Sequence, residues 1–171
     1  MRTIVYRLWQ VRQQLGFVAP LAAEERQGVA RWLPAPALPL FQTMSAADQR
    51  HSLRVCQGLQ ARGCADRDLL AAALLHDVGK AWGRVPFWTR PVIVLGKVLA
   101  PRLLARLAVD PRAHRAMPRW RCEISNAWWH AEIGAELAVA AGLSEKAALY
   151  IRTHHQPDGP AAELHLVDEA L

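Results

Sequence analysis

The sequence predicts an all-α protein: a helical bundle with an extra helical segment at its N-terminus. Three observations carry this expectation. Alanine and leucine dominate and β-branched runs are few, which favours helix over strand. Ser45, Asp66 and Ser144 each stand ahead of an apolar stretch, where a short polar side chain caps a helix. No Asn-Gly joins two alternating runs, so no hairpin is signalled.

Taken in order, Ile4, Leu8, Val11 and Leu15 form one stripe of an amphipathic helix. Arg7 and Arg12 interrupt any apolar core of a secretory signal, so this segment reads as structure. Residues 33–40 (LPAPALPL) hold three prolines and read as an extended link. The link divides an N-terminal extension, 1–40, from a main domain, 41–171. In that domain Ser45 starts a helix running through Gln60, ended at Gly63. Asp66 caps a helix reaching about Asp77, with Gly79 as its stop. Between Ala81 and Arg121, five prolines permit only short helices, and Pro101 opens one of them. A helix is expected from Ile124 to Ala141, another from Ser144 to about His155, and a last one over Ala161–Ala170.

A chain of 171 residues suits one domain with a true core. Its three cysteines are an odd number without a CxxC pair, which argues against a disulfide framework and suits the reducing cytoplasm. The net charge of +6 is unevenly spread. Nine Lys/Arg and one acid, Asp110, lie between Ala81 and Arg121, so that segment carries +8 and the remainder −2. Either an anionic partner or a solvated face explains this imbalance. Around Val92–Leu99 the segment is apolar, too short to span a bilayer, and flanked by Arg90 and Arg102. Peripheral contact with an anionic membrane through 88–121, a lid, or a packed helix are the three readings of it. No compact basic run or nucleic-acid motif is present, so no nucleic-acid partner is expected.

The strongest chemical signal is His76-Asp77, at the end of the apolar run Ala72–Leu75 and followed by Val78-Gly79-Lys80. Burying two ionisable groups there costs several kcal/mol unless they pair or bind a cation. Gly79 allows a sharp turn beyond them, and Lys80 sets a mobile cation beside them, suited to a phosphate oxygen. Further candidates recur on later helices. His51 shares a helix face with Val55 and Leu59. His130 follows Trp128-Trp129 at the start of an apolar helical run, His154-His155 closes the next helix, and Asp168 sits beside Leu164 and Val167 in the last. A bundle core gathers such positions. His114 and His165 fall outside the pattern and are assigned to the surface. Asp48, one turn before His51, reads as a first-turn acid or as an orienting partner of that ligand.

This ordered pattern resembles the HD-domain metal-dependent phosphohydrolase superfamily. The matching pieces are QRHSLRV (49–55), HDVGK (76–80), HAEIGAEL (130–137), IRTHHQPDG (151–159) and Asp168. The extra histidines are similar to the two-metal branch that includes the HD-GYP cyclic-dinucleotide phosphodiesterases. The chain departs from that branch where Gly159 is followed by Pro160-Ala161, and Ala131 stands where the branch has proline. The resemblance covers about Ser45 to Leu171. It implies a phosphohydrolase or phosphodiesterase acting on a nucleotide or related phosphoester. It also implies one or two divalent cations, with Mn, Fe, Mg, Co, Ni or Zn compatible with these ligands. His51, His76, Asp77 and Asp168 would hold the first ion, and His130, His154 and His155 the second, with Asp77 bridging. Asp77 and Lys80 are then the catalytic candidates, and Lys80, Arg84 and Arg152 the substrate-binding ones. Two other functions are carried alongside: an HD-type di-iron oxygenase and a non-catalytic metal- or nucleotide-binding module.

Overall fold

A computed structural model describes residues 18–82, 89–110 and 117–171 of the chain. The described residues are helical and contain no strand, so the all-α expectation holds. The stripe from Ile4 to Leu15 lies outside the described residues, as do Arg84 and His114. The helices are α1 (Ala23–Ala30), α2 (Ala37–Gln42), α3 (Ala46–Ala61), α4 (Arg67–Leu75), α5 (Gly79–Trp82), α6 (Thr89–Leu99), α7 (Pro101–Leu107), α8 (Arg119–Ala140), α9 (Glu145–Thr153) and α10 (Ala162–Ala170).

The caps read from the sequence act as such. Ser45, Asp66 and Ser144 each accept a backbone N–H from the first turn of α3, α4 and α9. Asp48 belongs to the first of these: its carboxylate accepts the Ser45 hydroxyl at 2.6 Å, as a first-turn acid does. Gly63 and Gly142 close α3 and α8 with φ of 86° and 88°, a region costly for any residue with a Cβ.

The expected extended link over 33–40 is not extended. Pro36 stands at the N-cap position of α2, where proline's fixed φ suits a helix start, and Leu33, Ala37 and Phe41 are buried. These residues, with Leu21 and Val29, share one core with Leu53, Leu59, Leu70, Leu75, Ile151 and Leu164. The boundary expected at residue 40 is therefore no break in packing. Arg50 reinforces the junction: its guanidinium donates to the carbonyls of Ala19 and Pro20 and meets Glu25 at 3.0 Å.

Two arrangements position the functional cluster. First, α4 and α9 run side by side in the same direction. Their starts are tied by Ser144 Oγ to Asp68 Oδ1 (2.6 Å), Tyr150 Oη to Asp66 Oδ2 (3.0 Å) and Lys146 Nζ to Asp66 Oδ2 (2.8 Å). Their ends are capped by His76 and His154, whose rings lie 5.1 Å apart. Second, α10 packs closely on α3 at Gly58, where an added Cβ would lie 2.7 Å from Val167 Cγ1. That crossing brings Asp168 to His51, one residue beyond Val167 and seven before Gly58 on the α3 face.

Asp66 therefore serves as cap and tie at once. Burial would raise its pKa, but the bonds from Lys146, Tyr150 and the backbone lower it below the usual carboxylate value. A depressed carboxylate contributes stability that is present above its unfolded pKa of about 4 and lost as pH falls through the folded value. Asp66→Ala should cost about 1–2 kcal/mol in urea unfolding at pH 7, mostly through the lost cap, since the exposed Lys146 pair contributes little. The gap between wild type and Asp66→Asn should shrink below about pH 4. A gap that stays constant down to pH 3 would refute the charge contribution.

Candidate metal centre

Three histidines are oriented by one local device. The Nδ1–H of His76 donates to Ala73 O at 2.9 Å, that of His130 to Ala127 O at 2.7 Å, and that of His154 to Ile151 O at 2.6 Å. Each acceptor lies three residues upstream in the same helix, where the carbonyl oxygen accepts only. Nδ1 thus carries a proton in each ring, and Nε2 is the atom aimed away from the helix backbone, with a lone pair wherever the ring is neutral. The Nε2 atoms of His76 and His154 are buried and have no hydrogen-bond partner in the protein.

These lone pairs converge with others into two adjoining groups. In one, His51, His76 and Asp77 offer ligand atoms within 4.8 Å of one another, and in the other His130, His154 and His155 do the same. Asp168 joins the first group: its Oδ1 is 2.7 Å from His51 Nε2 and 3.6 Å from His76 Nε2. Asp77 stands between the groups, one oxygen to each. Its Oδ2 lies 3.6 Å from His76 Nε2 and its Oδ1 3.7 Å from His130 Nε2. On the far side, His155 Nε2 is 3.1 Å from His130 Nε2, and the His154 and His155 rings are 3.8 Å apart. All seven expected ligands are therefore in one place.

Glycines make the assembly compact. A Cβ added to Gly79 would overlap the His130 carbonyl oxygen and lie 2.9 Å from Gly134 N. Its sequence context predicts a helix stop by a sharp turn at Gly79. Instead Gly79 opens α5 and serves close helix crossing, since α5 presses on α8 at its His130–Gly134 stretch. His130 lies in the middle of α8, which begins at Arg119, five residues before the expected start at Ile124.

The electrostatics follow from burial. Burial alone would lower the His76 pKa, but the carboxylates of Asp77 and Asp168 outweigh it and raise it. Burial would raise Asp77, yet Lys80, 2.5 Å away, and then His76 hold it well below the usual carboxylate value. Burial likewise opposes ionisation of Asp168, and the bond from His51, with the neighbouring His76 imidazole, lowers it. His130 is pushed down to about 3, first by burial and then by the Lys80 charge. His154 is also pushed down to about 3, by burial and by His76. Two ionised carboxylates, the neutral imidazoles of His130 and His154, and His76 once it has lost its proton are the donor set a divalent cation takes. The C-termini of α4 and α9, the negative ends of both helix dipoles, meet there as well. The residues fit a metal centre.

Exposure grades across the cluster. His76, Asp77, His130 and His154 are buried, His51, Asp168 and Lys80 are half-buried, and His155 is exposed. Of the expected substrate-binding residues, Lys80 is at the cluster and Arg152 is ion-paired with Glu132 of α8 at 2.7 Å. His165, assigned to the surface from sequence, is half-buried, and its Nδ1–H donates to the His154 carbonyl at 3.2 Å. Its position one turn before Asp168 is the one signal the sequence holds for it.

Comparison of the chain with protein-family models, with curated proteins and with solved structures finds no match.

Two outcomes are expected. Gly79→Ala should destabilise the fold by about 1–3 kcal/mol or more, because backbone rather than a flexible side chain occupies the space. Gly134→Ala, whose Cβ contacts would be 3.3–3.4 Å, should cost clearly less in the same urea titration. Equal costs would refute the crossing geometry. Separately, His76 has a raised pKa and must lose its proton to act as a ligand, so affinity should rise with pH until the raised value is passed. Calorimetric Mn²⁺ titrations near pH 7 should therefore depend on the buffer's ionisation enthalpy. Buffer-independent heats would contradict protonation of His76 in the metal-free protein.

Proposed function

We propose that this chain is a metal-dependent phosphohydrolase of the HD type, acting on a nucleotide or related phosphoester. The observation that carries the reading is Asp77, one buried carboxylate whose two oxygens face two separate imidazole groups. Evenly divided access of this kind suits a carboxylate shared by two cations. The order of the ligands along the chain, and their gathering from α3, α4, α8, α9 and α10, agree with the family resemblance.

Held by His51, His76, Asp77 and Asp168 on one side and His130, His154 and His155 on the other, a divalent pair would supply Lewis acidity and make water more acidic there. The remaining work falls to the chain. His76, Asp77, His130 and His154 form a dry floor, where charge interactions are several times stronger than in water. His51, Lys80, Asp168 and His155 form the accessible side, from which a phosphoester approaches. Lys80 holds its ammonium against Asp77 Oδ2 and needs only a rotamer change to meet a phosphoryl oxygen. Arg152 is occupied by Glu132, which makes Lys80 the better candidate for that contact.

The purified protein, loaded with Mn²⁺ or Fe²⁺, should hydrolyse at least one member of a panel of nucleoside monophosphates, (p)ppGpp-like compounds and cyclic dinucleotides. Asp77→Asn should lower turnover by more than about 100-fold and reduce bound metal. Lys80→Ala should lower turnover while metal content is kept. Failure to hydrolyse any phosphoester, with metal bound at wild-type stoichiometry, would leave the hydrolase reading without support and favour a binding module.

A further inference from the structure

The helical pair α6–α7 has two unlike faces. One face is packed. Leu104 and Ala108 are buried against Ile124 of α8, with Ile93 and Trp128 beside them. Trp129 Nε1–H donates to Ala108 O at 3.0 Å, and Arg121 donates to the carbonyls of Leu107 and Arg106, closing the end of α7. Gly96 lets the two helices approach, since a Cβ there would lie 2.9 Å from Leu104 Cδ2. The pair is thus anchored, and its other face is not waiting for this core.

That other face is apolar and exposed. Among the described residues, six of the nine exposed large apolar side chains fall between Trp82 and Trp120. Val92, Leu95 and Leu99 recur at steps of three and four, so they form one stripe along α6, and Leu103 is exposed on α7 just beyond the break at Ala100. Leu99 is 76% exposed and Leu103 58%, values that leave both side chains largely in water. Soluble surfaces carry isolated apolar residues, whereas a contiguous stripe marks a contact site. Arg102 and Arg106 are exposed on α7 beside the stripe. The segment from Ala81 to Arg121 carries +8 with Asp110 as its one acid. No described helix is long and apolar enough to cross a membrane.

We propose that the α6–α7 face is a docking surface for an anionic lipid bilayer, lying in the interface with its leucine stripe among the acyl chains. The charge selects the occupant. A second copy of this chain would set Arg102 and Arg106 against the same arginines of the first, and like charges repel. An anionic bilayer offers apolar depth for the stripe and negative headgroups for the arginines together. A wholly packed helix, one of the readings open from the sequence, does not describe this pair, because the stripe is exposed. The surface is joined to the metal centre through α8, which carries Trp128 and Trp129 against α6–α7 and His130 in the cluster. Docking of this face does not depend on which reaction that centre performs.

The test is flotation of the full-length, metal-loaded protein with vesicles. Phosphatidylcholine vesicles containing about 30 mol % phosphatidylglycerol are compared with pure phosphatidylcholine at about 0.1 M salt, where the screening length is about 10 Å. The wild type should float with the anionic vesicles, stay behind with neutral ones, and be released at about 1 M salt. Leu99→Glu/Leu103→Glu should weaken flotation about tenfold or more while circular dichroism and metal content are unchanged. Arg102→Glu/Arg106→Glu should weaken it as well. Wild type that stays in the supernatant overturns the proposal, as does equal binding to neutral vesicles or unimpaired flotation of the leucine variant. A wild-type dimer in sedimentation equilibrium that the leucine variant abolishes would also overturn it, since a second copy would then cover the face.

Discussion

A carboxylate with 4% exposure must be compensated within the protein, and the architecture around Asp77 is that compensation. Lys80 meets one oxygen and imidazoles face both. Removing the charge partners would leave an ion in a medium that solvates it poorly, at a cost of several kcal/mol. The imidazoles cannot all be cations there, because His154 neighbours both His76 and His130. Protonation therefore concentrates at His76, between Asp77 and Asp168, while His130 and His154 stay neutral. The cluster is balanced as a charge set with lone pairs to spare, and spare buried lone pairs are what a metal ion satisfies.

That balance depends on backbone arrangements far from any charge. Capping carbonyls three residues upstream turn three rings the same way, so one helical device is used three times. The parallel course of α4 and α9, set at their starts by Asp66 and Asp68, delivers two of those rings to the same end of the bundle. Gly79 and Gly134 allow α5 to lie on α8, which brings His130 to Asp77, and Gly58 allows α10 to lie on α3, which brings Asp168 to His51. The Asp77–His130 and His51–Asp168 contacts are thus endpoints of crossings at Gly79 and Gly58 whose closeness a single methyl group would spoil.

Local rules carry most of what is legible in the chain. Ser45, Asp66 and Ser144 cap the helices they precede because capping depends on three or four neighbouring residues. The seven candidate ligands are readable from residue type, order and apolar context, and they do meet. Sequence and structure part where tertiary packing overrides a local tendency. The prolines of 33–40 suggest an extended link, yet buried Ala37 and Phe41 draw the segment into a helix. Gly79 has the context of a turn because its function, approach to a distant carbonyl, leaves no local trace. His165 has the context of a surface residue because its partner, the His154 carbonyl, belongs to another helix.

The same reasoning separates two kinds of buried histidine neighbourhood. A histidine kept for packing needs one hydrogen bond at each nitrogen, and a core supplies both or excludes the ring. Here Nδ1 is satisfied within the helix in three rings, and in His76 and His154 Nε2 is left without a protein partner. A core built for stability alone would not assemble two such deficits 5.1 Å apart and set an ionised carboxylate beside them. Leucine at either position would fill similar space without a desolvation cost. The presence of costly groups at the closest point of five helices is therefore best accounted for by a ligand that all of them share, and a cation is the one whose chemistry matches lone pairs and carboxylates together.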